Sequence, residues 1–345
     1  MKNIYDWKHV LPEETEGFHE KVREALHSLP EERTGHWAPK KRYLPVLVAA
    51  VFILSSATVF AALKWNDRAA QHFSTDERLQ KNLTEEGYSR QDVQSVTDNG
   101  VTITLEQTVQ DENLIYLLFK VTSDNLELTS EDNGMSYKMK ASNGSGFFTS
   151  ASSGFVSEFE QPRVSNSREY EVWITKNRTY DFKGAVLSLS FNALEEYKGK
   201  AGSVEELVKG QWNFDIDLSV NASVEIDMDK TVTLEGCDVK IHKIKISPLS
   251  YIIYFDSDDV KALQEAKDIH PEVLDITYPL ILSGVKYKDA TVMQGDVGLM
   301  SEGLDEGFDK ESGDFIIIGR FSEAINVDQV QEIVFNDKET GVSIR

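Results

Sequence analysis

The strongest constraint on this chain is an apolar stretch without a single charge, residues 43–63, which reads YLPVLVAAVFILSSATVFAAL. As a helix that rises about 1.5 Å per residue, this stretch is about 31 Å long and matches the hydrocarbon core of a bilayer. We therefore predict a transmembrane helix over residues 43–63. Two alternatives are a buried helix of a soluble domain and a signal peptide cleaved after Ala61.

The charges that flank the stretch predict its orientation. Lys40, Lys41 and Arg42 directly precede it, whereas the charges directly after it nearly cancel. Because basic residues favour the cytosolic side of a membrane span, we expect residues 1–42 in the cytosol and residues 64–345 outside. The predicted location is the cell membrane, crossed once, with the N-terminus in the cytosol and the C-terminal domains extracytoplasmic.

The net charge of −22 belongs to the predicted exported part, because acidic and basic side chains balance in residues 1–42. Such an acidic surface repels nucleic acid, so we expect no direct nucleic-acid partner. Cys237 is the only cysteine, which excludes a disulfide within this chain and a cysteine-based zinc site. We expect Cys237 to be a small core residue and not a nucleophile.

The motifs of the chain do not point to catalysis. We find no nucleophile elbow, phosphate loop, dinucleotide fingerprint or HExxH motif, so we expect no enzymatic activity, no cofactor and no metal. His72, His242 and His270 stand isolated in the sequence. An acidic run at residues 301–314, with aspartates near residue 257, offers oxygen ligands to calcium but lacks the EF-hand spacing. A solvated acidic loop is the preferred interpretation of this run.

The predicted cytosolic tail carries an apolar stripe. From residue 18 to residue 29, apolar side chains recur at helical spacing on one face, and a proline follows. A tail of 42 residues buries too little surface to enclose a core, so the stripe must pack on another surface. The polar face mixes acidic and basic residues, which favours a groove on a cytosolic protein over lipid, with a self-associated tail as a further alternative. The expected partner-binding anchors are Trp7, Phe18, Val22, Leu26 and Leu29.

Residues 64–97 are predicted to form a helical juxtamembrane connector. Ser74 and Glu77 have the spacing of a capping box, and Ser89 with Asp92 marks a second candidate helix start. Such a connector would transmit movement between the exported domains and the span. It would also offer a site to a regulatory protease.

Beyond residue 98 the apolar period changes from helical to two, which predicts strands. Residues 212–220 alternate between apolar and polar side chains without a break, as a strand with one buried face does. We predict a mainly β fold with two antiparallel β-sandwich domains, residues 98–221 and residues 222–345. A short helix is expected at residues 258–267.

Two stretches of the second predicted domain echo the first. Residues 230–235 (KTVTLE) resemble residues 101–106 (VTITLE), and residues 251–255 (YIIYF) resemble residues 115–119 (IYLLF). Because the two offsets differ, internal duplication and shared β-sandwich patterning are both open.

Several motifs carry a resemblance to a known family. In the tail they are Asp6-Trp7, Glu16, Phe18-His19, Val22, Leu26 and Ser28-Leu29-Pro30, and in the exported part they are residues 98–105 and 114–116. With the span that follows the tail, the chain resembles Gram-positive single-pass membrane proteins whose exported domain is called domain of unknown function 4179. Members are commonly assigned as anti-sigma factors, and the last third of the chain resembles the immunoglobulin-like module that often follows.

The resemblance implies a regulatory function. Its cytosolic helix would sequester an extracytoplasmic-function sigma factor while the ectodomain senses the envelope through a ligand or a regulatory protease. The zinc-binding His-x3-Cys-x2-Cys motif of better-known anti-sigma factors is missing, so the implied contact is helical and zinc-free. The alternative is an anchored envelope-binding or structural protein with no transcriptional role.

Overall fold

The computed structural model describes residues 65–344 with gaps, and these residues form a mainly β, antiparallel structure. The gaps fall at residues 92, 130, 158–163, 178–179, 181, 199–202, 220–222, 269–279, 295–304, 310–311, 322 and 336–340. The helices of this described part are α1 (Asp67–His72), α2 (Glu77–Glu85) and α3 (Ser257–Asp268), and Val327–Gln329 form one 3-10 turn. The strands are β1 (Ser89–Arg90), β2 (Gln94–Asp98), β3 (Val101–Gln110), β4 (Leu114–Ser123), β5 (Asn133–Ala141), β6 (Phe148–Phe155), β7 (Ser167–Lys176), β8 (Val186–Tyr197), β9 (Val204–Asp217), β10 (Val224–Leu234), β11 (Cys237–Ile246), β12 (Ser250–Asp256), β13 (Leu282–Tyr287), β14 (Val292–Gln294), β15 (Asp305–Phe308), β16 (Asp314–Arg320), β17 (Val330–Phe335) and β18 (Gly341–Ser343).

The strands form four antiparallel sheets that share cores in pairs. Sheet 1 has the order β1-β3-β4-β7-β6, with β2 also paired to β3, and sheet 2 has the order β5-β8-β9. Sheet 3 has the order β10-β11-β12-β16-β15, and sheet 4 has the order β14-β13-β17-β18. Sheets 1 and 2 share an apolar cluster drawn from residues 101–218, and sheets 3 and 4 share one drawn from residues 228–344. We call these pairs the N-module and the C-module; both fall within one compact unit.

The alternation predicted for the strands is visible in their burial. In β9, Trp212, Phe214 and Ile216 are buried while the residues between them are exposed. The central strand β4 is buried on both faces from Leu114 to Phe119. The expectation of a mainly β, antiparallel fold is confirmed, and α3 agrees with the predicted helix to within one residue at each end.

Several predictions concern residues that the structure does not describe. The predicted membrane span at residues 43–63 and the cytosolic tail before it lie outside the described residues. Within the described ranges, no helix combines the length and the apolar character needed to cross a bilayer. The predicted domain boundary at residues 221–222 falls in a gap.

The predicted helical connector is wrong beyond residue 85. Ser89 begins β1 instead of a helix, β2 follows at Gln94–Asp98, and both strands pair with β3. Pairing satisfies the backbone groups of this segment, which an isolated helix start would have left to solvent.

The predicted capping box is also wrong. Ser74 has a φ of 48°, so its backbone cannot adopt the extended conformation of an N-cap residue. Asp76 caps α2 instead, and its carboxylate accepts a hydrogen bond from the backbone N–H of Leu79 at 2.7 Å.

The two modules repeat one topology. The path β2-β3-β4-β7-β6 corresponds to β10-β11-β12-β16-β15, and β5-β8-β9 corresponds to β13-β17-β18. The first three strands also keep their register, because residue numbers of matched pairs differ by 136. Asp98 pairs with Val101 as Leu234 pairs with Cys237. Each module therefore begins with the same three-stranded meander.

The matched meanders share a turn and a bulge. Asn99-Gly100 close the first hairpin with φ values of 48° and 76°, and Glu235-Gly236 close the second with 50° and 81°. Positive φ at both positions is typical of a type I′ turn. One extra residue then bulges from each middle strand, Glu106 in β3 and His242 in β11.

This register corrects one of the two sequence echoes. Residues 230–235 correspond to residues 94–99 and not to residues 101–106. The other echo, residues 251–255 with residues 115–119, has the observed offset. Residues 230–235 resemble β3 because both stretches alternate threonine with aliphatic side chains, a pattern common to β-strands.

Candidate functional site

The helical segment that follows the predicted span is docked on the N-module. Trp65 is 2% exposed, and its indole N–H donates to Thr84 Oγ1 at 3.0 Å. Asn66, the N-cap residue of α1, donates its backbone N–H to Gln107 Oε1 and its side-chain amide to Glu106 Oε2, both at 2.7 Å. A bulge re-aims the side chain it carries. The bulge in β3 thus presents Glu106 to the start of α1.

Aromatic rings hold the end of α1 against sheet 1. Phe73 packs edge-on against Tyr116 with 5.4 Å between ring centroids, and Trp173 lies 4.6 Å from Tyr116. The His72 ring lies 4.7 Å from Trp173. Tyr116 and Trp173 are paired across β4 and β7, so sheet 1 offers a continuous aromatic surface to the helix.

An ion pair fixes α1 against strand β7. Arg68 Nε donates to Glu171 Oε1 at 2.7 Å, and the Tyr116 hydroxyl donates to the same oxygen at 2.9 Å. The two charged side chains are 16% and 15% exposed, so salt screens them less than a surface pair. Burial and the Glu171 carboxylate raise the pKa of Tyr116, which keeps the phenol a donor.

A second carboxyl group lies beside the start of α1. Burial raises the pKa of Glu169, and the negative charge of Glu106 raises it further. The amide of Asn66 and the charge of Arg68 act in the opposite direction. The helix start therefore rests on two carboxyl groups that repel each other when both are ionised.

The C-module contacts the other side of this segment. Leu249, in the loop between β11 and β12, is 2% exposed and belongs to the same apolar cluster as Trp65 and Phe73. The backbone N–H of Ala324 donates to the carbonyl oxygen of Phe73 at 3.0 Å. We call the region built on Trp65, Phe73, Tyr116, Leu249 and Ala324 the junction, because the helical segment meets both modules there.

The two modules also share a buried polar network at the junction. Asp111 Oδ1 accepts the backbone N–H groups of Asn113 and Leu114, both at 2.9 Å. Its Oδ2 accepts the hydroxyls of Ser247 and Ser250, the latter at 2.7 Å. Asp111 is 0% exposed, so each of these bonds replaces one that water would have made.

The network is made by equivalent loops. Asp111 lies in the β3–β4 loop, and Ser247, 136 residues later, holds the corresponding place in the β11–β12 loop. Asn113 Nδ2 donates across the contact to Ser250 Oγ at 2.9 Å. Each module therefore offers the same loop to the other, as subunits do in a symmetric dimer.

Lys176 completes the network at the end of β7. Its side chain is 0% exposed, and Nζ donates to the backbone carbonyl of Asp111 at 2.8 Å. Nζ also lies 4.8 Å above the Phe182 ring. Burial lowers the pKa of Lys176 to about 8, although the negative charge of Asp111 opposes that shift. The junction thus contains a cation that titrates close to neutral pH.

A cavity of about 120 Å³ lies within the junction. Its walls come from α1 and from both modules: His72, Phe73, Leu114, Trp173, Leu249, Arg320 and Phe321. The Arg320 guanidinium lies 5.2 Å above the Trp173 ring. A space of this size holds about four water molecules or one small ring. Anything bound there would touch the helical segment and both modules at once.

The residues singled out from the sequence are placed as follows. The expected anchors Trp7, Phe18, Val22, Leu26 and Leu29 lie outside the described residues, so their role stays a prediction. Cys237 is partly buried at the edge of the C-module cluster. In the described ranges, no group of three or more histidine, cysteine or carboxylate side chains is arranged to hold a metal ion.

His242, which stands isolated in the sequence, lies beside two carboxylates in the fold. Its Nδ1 lies 2.8 Å from Asp314 Oδ1, and its Nε2 lies 3.7 Å from Asp256 Oδ2. His242 is the bulge residue of β11, and the bulge aims its ring at the two carboxylates. Asp256 also caps α3, because its Oδ1 accepts the backbone N–H groups of Asp258 and Asp259.

Sequence reasoning missed the polar network although a local signal was present. The run Asp111-Glu112-Asn113 has the composition of a turn, and Asp111 indeed accepts backbone N–H groups two and three residues later. Its contact with Ser247 joins positions far apart in the chain. Asp111 and Ser247 come together only through the arrangement of the two modules, which local sequence patterns do not predict.

Comparisons with known proteins give the following findings. A family model described as a domain of unknown function (DUF4179) matches residues 38–123. The match ends at the last residue of β4, so among the described residues it covers α1, α2 and β1 to β4. No curated protein matches the chain. The solved structure of a conserved domain protein from Bacillus anthracis is similar at 14% sequence identity and a TM-score of 0.44, with 72% of this chain and 77% of that chain covered.

Proposed function

We propose that this chain is a membrane-anchored regulatory protein, an anti-sigma factor whose cytosolic helix sequesters an extracytoplasmic-function sigma factor. The observation that carries the proposal is the junction. The segment directly after the apolar stretch is buried against both exported modules through Trp65, Phe73 and Ala324. A change in how the modules pack would therefore move the residues nearest the membrane.

The proposal includes the membrane span and the immunoglobulin-like character of the modules. Residues 43–63 form the transmembrane helix, supported by their uncharged apolar sequence and by the basic residues before them. The two-sheet organisation of each module, with one shared apolar cluster, supports immunoglobulin-like sandwiches. The match at residues 38–123 joins the span and the docked segment in one family domain, which supports their acting together.

The proposal is tested by co-purification: we expect the full-length chain to recover a sigma factor. Leu26→Asp places a charge on the apolar stripe of the tail, and we expect it to abolish co-purification and to raise transcripts of the sigma factor's target genes. Lys21→Asp adds the same side chain on the polar face of that helix and should leave both readouts unchanged. Recovery of no sigma factor by the unsubstituted chain, or equal effects of the two substitutions, would contradict the proposal.

A deletion of the tail tests the structural alternative. If the chain only binds or supports the envelope, deletion of residues 1–38 should leave its phenotype intact. An anti-sigma factor without its tail should instead release the sigma factor and derepress its targets. The deletion strain distinguishes the two functions, because they predict different transcript levels for the target genes.

A further inference from the structure

The junction cavity has deep walls that are apolar and held in place by backbone hydrogen bonds. Its four most buried lining residues come from the helical segment and from both modules, and each is at most 6% exposed: Phe73, Leu114, Leu249 and Phe321. The backbone N–H of Phe321 donates to the carbonyl oxygen of Leu249 at 2.8 Å. The carbonyl oxygen of Phe73 accepts from the backbone N–H of Ala324 at 3.0 Å. These walls are therefore formed before a ligand enters.

The size and the walls of the cavity suit one aromatic ring. Its volume of about 120 Å³ is close to the roughly 150 Å³ of an engineered protein cavity that binds benzene. Three of its walls are aromatic side chains, Phe73, Trp173 and Phe321. The Phe73 and Trp173 rings lie 5.7 Å apart and are tilted by 50° to each other. Because aromatic rings pack well in tilted and edge-on arrangements, these walls favour a further ring over an aliphatic chain.

The mouth of the cavity is basic. His72, Trp173 and Arg320 are the lining residues that remain partly exposed, so they mark the side on which the cavity meets solvent. The Arg320 guanidinium lies 5.2 Å from the centroid of the Trp173 ring, and the His72 ring lies 4.7 Å from it. Among the described residues, no aspartate or glutamate lines the cavity, although acidic residues make up 58 of 345 positions. The charge of Arg320 therefore favours an anionic group at the mouth over a cationic one.

The acidic side chain that comes closest along β7 is already balanced. Glu171 lies two residues before Trp173 and therefore on the same face of sheet 1. Its Oε1 accepts from Arg68 Nε at 2.7 Å and from the Tyr116 hydroxyl at 2.9 Å. The positive charge of Arg68 offsets that of Glu171, so an anion at the cavity mouth meets little repulsion from this carboxylate.

We propose that the junction cavity binds a small aromatic carboxylate with a single ring. The ring would pack among Phe73, Trp173 and Phe321, and the carboxylate would lie at the mouth beside Arg320, whose guanidinium matches the geometry of a carboxylate. Binding depends on the cavity and not on a sigma factor, so it can be tested with a chain that has bound none. The use of such a ligand as a signal rests on the regulatory function proposed above.

A ligand in this cavity would stabilise the docking of α1. The cavity exists only while His72 and Phe73 lie against both modules, because these two residues supply one of its walls. A ligand that binds the docked arrangement and not the undocked one shifts the equilibrium toward docking by a factor of one plus the ratio of its free concentration to its dissociation constant. Occupancy of the cavity would thus hold the segment that follows the predicted span.

The test is a ligand-detected NMR titration of the full-length chain in mild detergent, with detergent alone as the blank. The probes are benzoate, benzyl alcohol and benzylamine, which share one ring and differ in charge. We expect benzoate to saturate with a dissociation constant of about 1 mM or tighter, and benzylamine to bind at least tenfold more weakly, with benzyl alcohol between them. Failure of benzoate to saturate would overturn the proposal, and so would affinities for benzyl alcohol or benzylamine that equal that for benzoate.

Substitutions locate the site. Arg320→Gln removes the charge at the mouth and should weaken benzoate binding at least fivefold while leaving the affinity for benzyl alcohol unchanged. Lys243→Gln is the matched control, because Lys243 Nζ lies 5.0 Å above the Tyr254 ring on the same sheet but outside the cavity. It should leave benzoate binding unchanged. Trp173→Leu is the second variant if Arg320→Gln fails to fold, and it should weaken all three probes. Equal effects of Arg320→Gln and Lys243→Gln would overturn the proposal.

Proteolysis shows whether the ligand acts on the helical segment. Arg68 lies within α1, so trypsin can cut after it only when the segment leaves the modules. Benzoate at ten times its dissociation constant should slow this cut about tenfold. The same concentration should protect Arg320→Gln much less, which excludes a direct effect of benzoate on the protease. An unchanged rate of cleavage in the unsubstituted chain would overturn the placement of the ligand at the junction.

Discussion

At the residue scale, the junction contains two titratable side chains whose pKa values change when the protein folds. Lys176 is buried, and its pKa falls to about 8. Glu169 is partly buried beside Glu106, and its pKa is raised. In both cases burial disfavours the charged form, so each side chain reduces stability in the pH range where it is ionised. The two side chains give opposite pH dependences.

Stability is expected to rise between about pH 8 and about pH 10.5 because of Lys176. In that range the unfolded lysine still binds a proton while the buried one has released it, so higher pH favours the folded state. Lys176→Met cannot titrate and should flatten this rise in the free energy of unfolding measured by urea denaturation. Lys138→Met, at an exposed position, is the control and should keep the wild-type slope. Equal slopes for wild type and Lys176→Met would contradict the assignment.

Glu169→Gln is expected to stabilise the protein at pH 7 but not at pH 4. The raised pKa means that the folded state binds the proton more tightly, so stability falls as pH increases through the folded pKa. Removing the repulsion from Glu106 should gain up to about 1 kcal/mol, or a few degrees in thermal midpoint. Thermal melts at the two pH values check the difference. A variant less stable than wild type at pH 7 would show that the Glu169 carboxylate contributes more through its hydrogen bonds than it loses by repulsion.

At the element scale, the decisive feature is that α1 is short but firmly docked. Six residues are too few for a helix that is stable alone. Three contacts supply the additional stability: the N-cap of Asn66, the ion pair of Arg68 with Glu171, and the burial of Phe73. Loss of one of these contacts should therefore free the segment between the predicted span and β1.

Phe73→Ala is expected to destabilise the junction by about 3–5 kcal/mol, as truncation of a buried phenylalanine usually does. Limited proteolysis should then cut near α1 earlier than in wild type, with the modules remaining resistant. Phe148→Ala removes a phenylalanine that is 37% exposed and should change neither readout appreciably. If both variants are cut at the same rate, the docking of α1 does not depend on its aromatic contacts.

Elements were predictable where one physical signal dominated. The alternation of Trp212, Phe214 and Ile216 predicted their strand directly, because side-chain burial sets the period. The segment around Ser89 was predicted incorrectly because short polar sequences are compatible with both a helix N-cap and an edge strand. The junction could not be predicted from local patterns, because Asp111 and Ser247 come into contact only through the arrangement of the two modules.

At the scale of the whole molecule, the two modules are joined by a contact that is buried and polar. Asp111 alone serves two backbone N–H groups of its own module and two hydroxyls of the other. Apolar surface on Leu249 and Leu114 surrounds this network. Buried polar groups tolerate little displacement, so the network fixes the position of one module against the other.

Asp111→Ala is expected to uncouple the modules. The substitution leaves the buried backbone N–H groups of Asn113 and Leu114 without their acceptor, removes the contact with two hydroxyls of the C-module, and should cost about 2–4 kcal/mol. In scanning calorimetry, a single wild-type transition should separate into two, one for each module. Asp238→Ala removes an exposed aspartate with one hydrogen bond to Thr233 and should preserve the single transition. One unsplit transition in Asp111→Ala would show that apolar contact suffices to couple the modules.

The meeting of equivalent loops has a consequence for cleavage. A nick in the polypeptide between β9 and β10 would break the covalent link but not the Asp111 contact, so the halves would stay together and the damage would be silent. A cut before Trp65 would instead separate both modules from the predicted membrane span in one step. The position of the cut, and not only its occurrence, would therefore determine whether the modules are released.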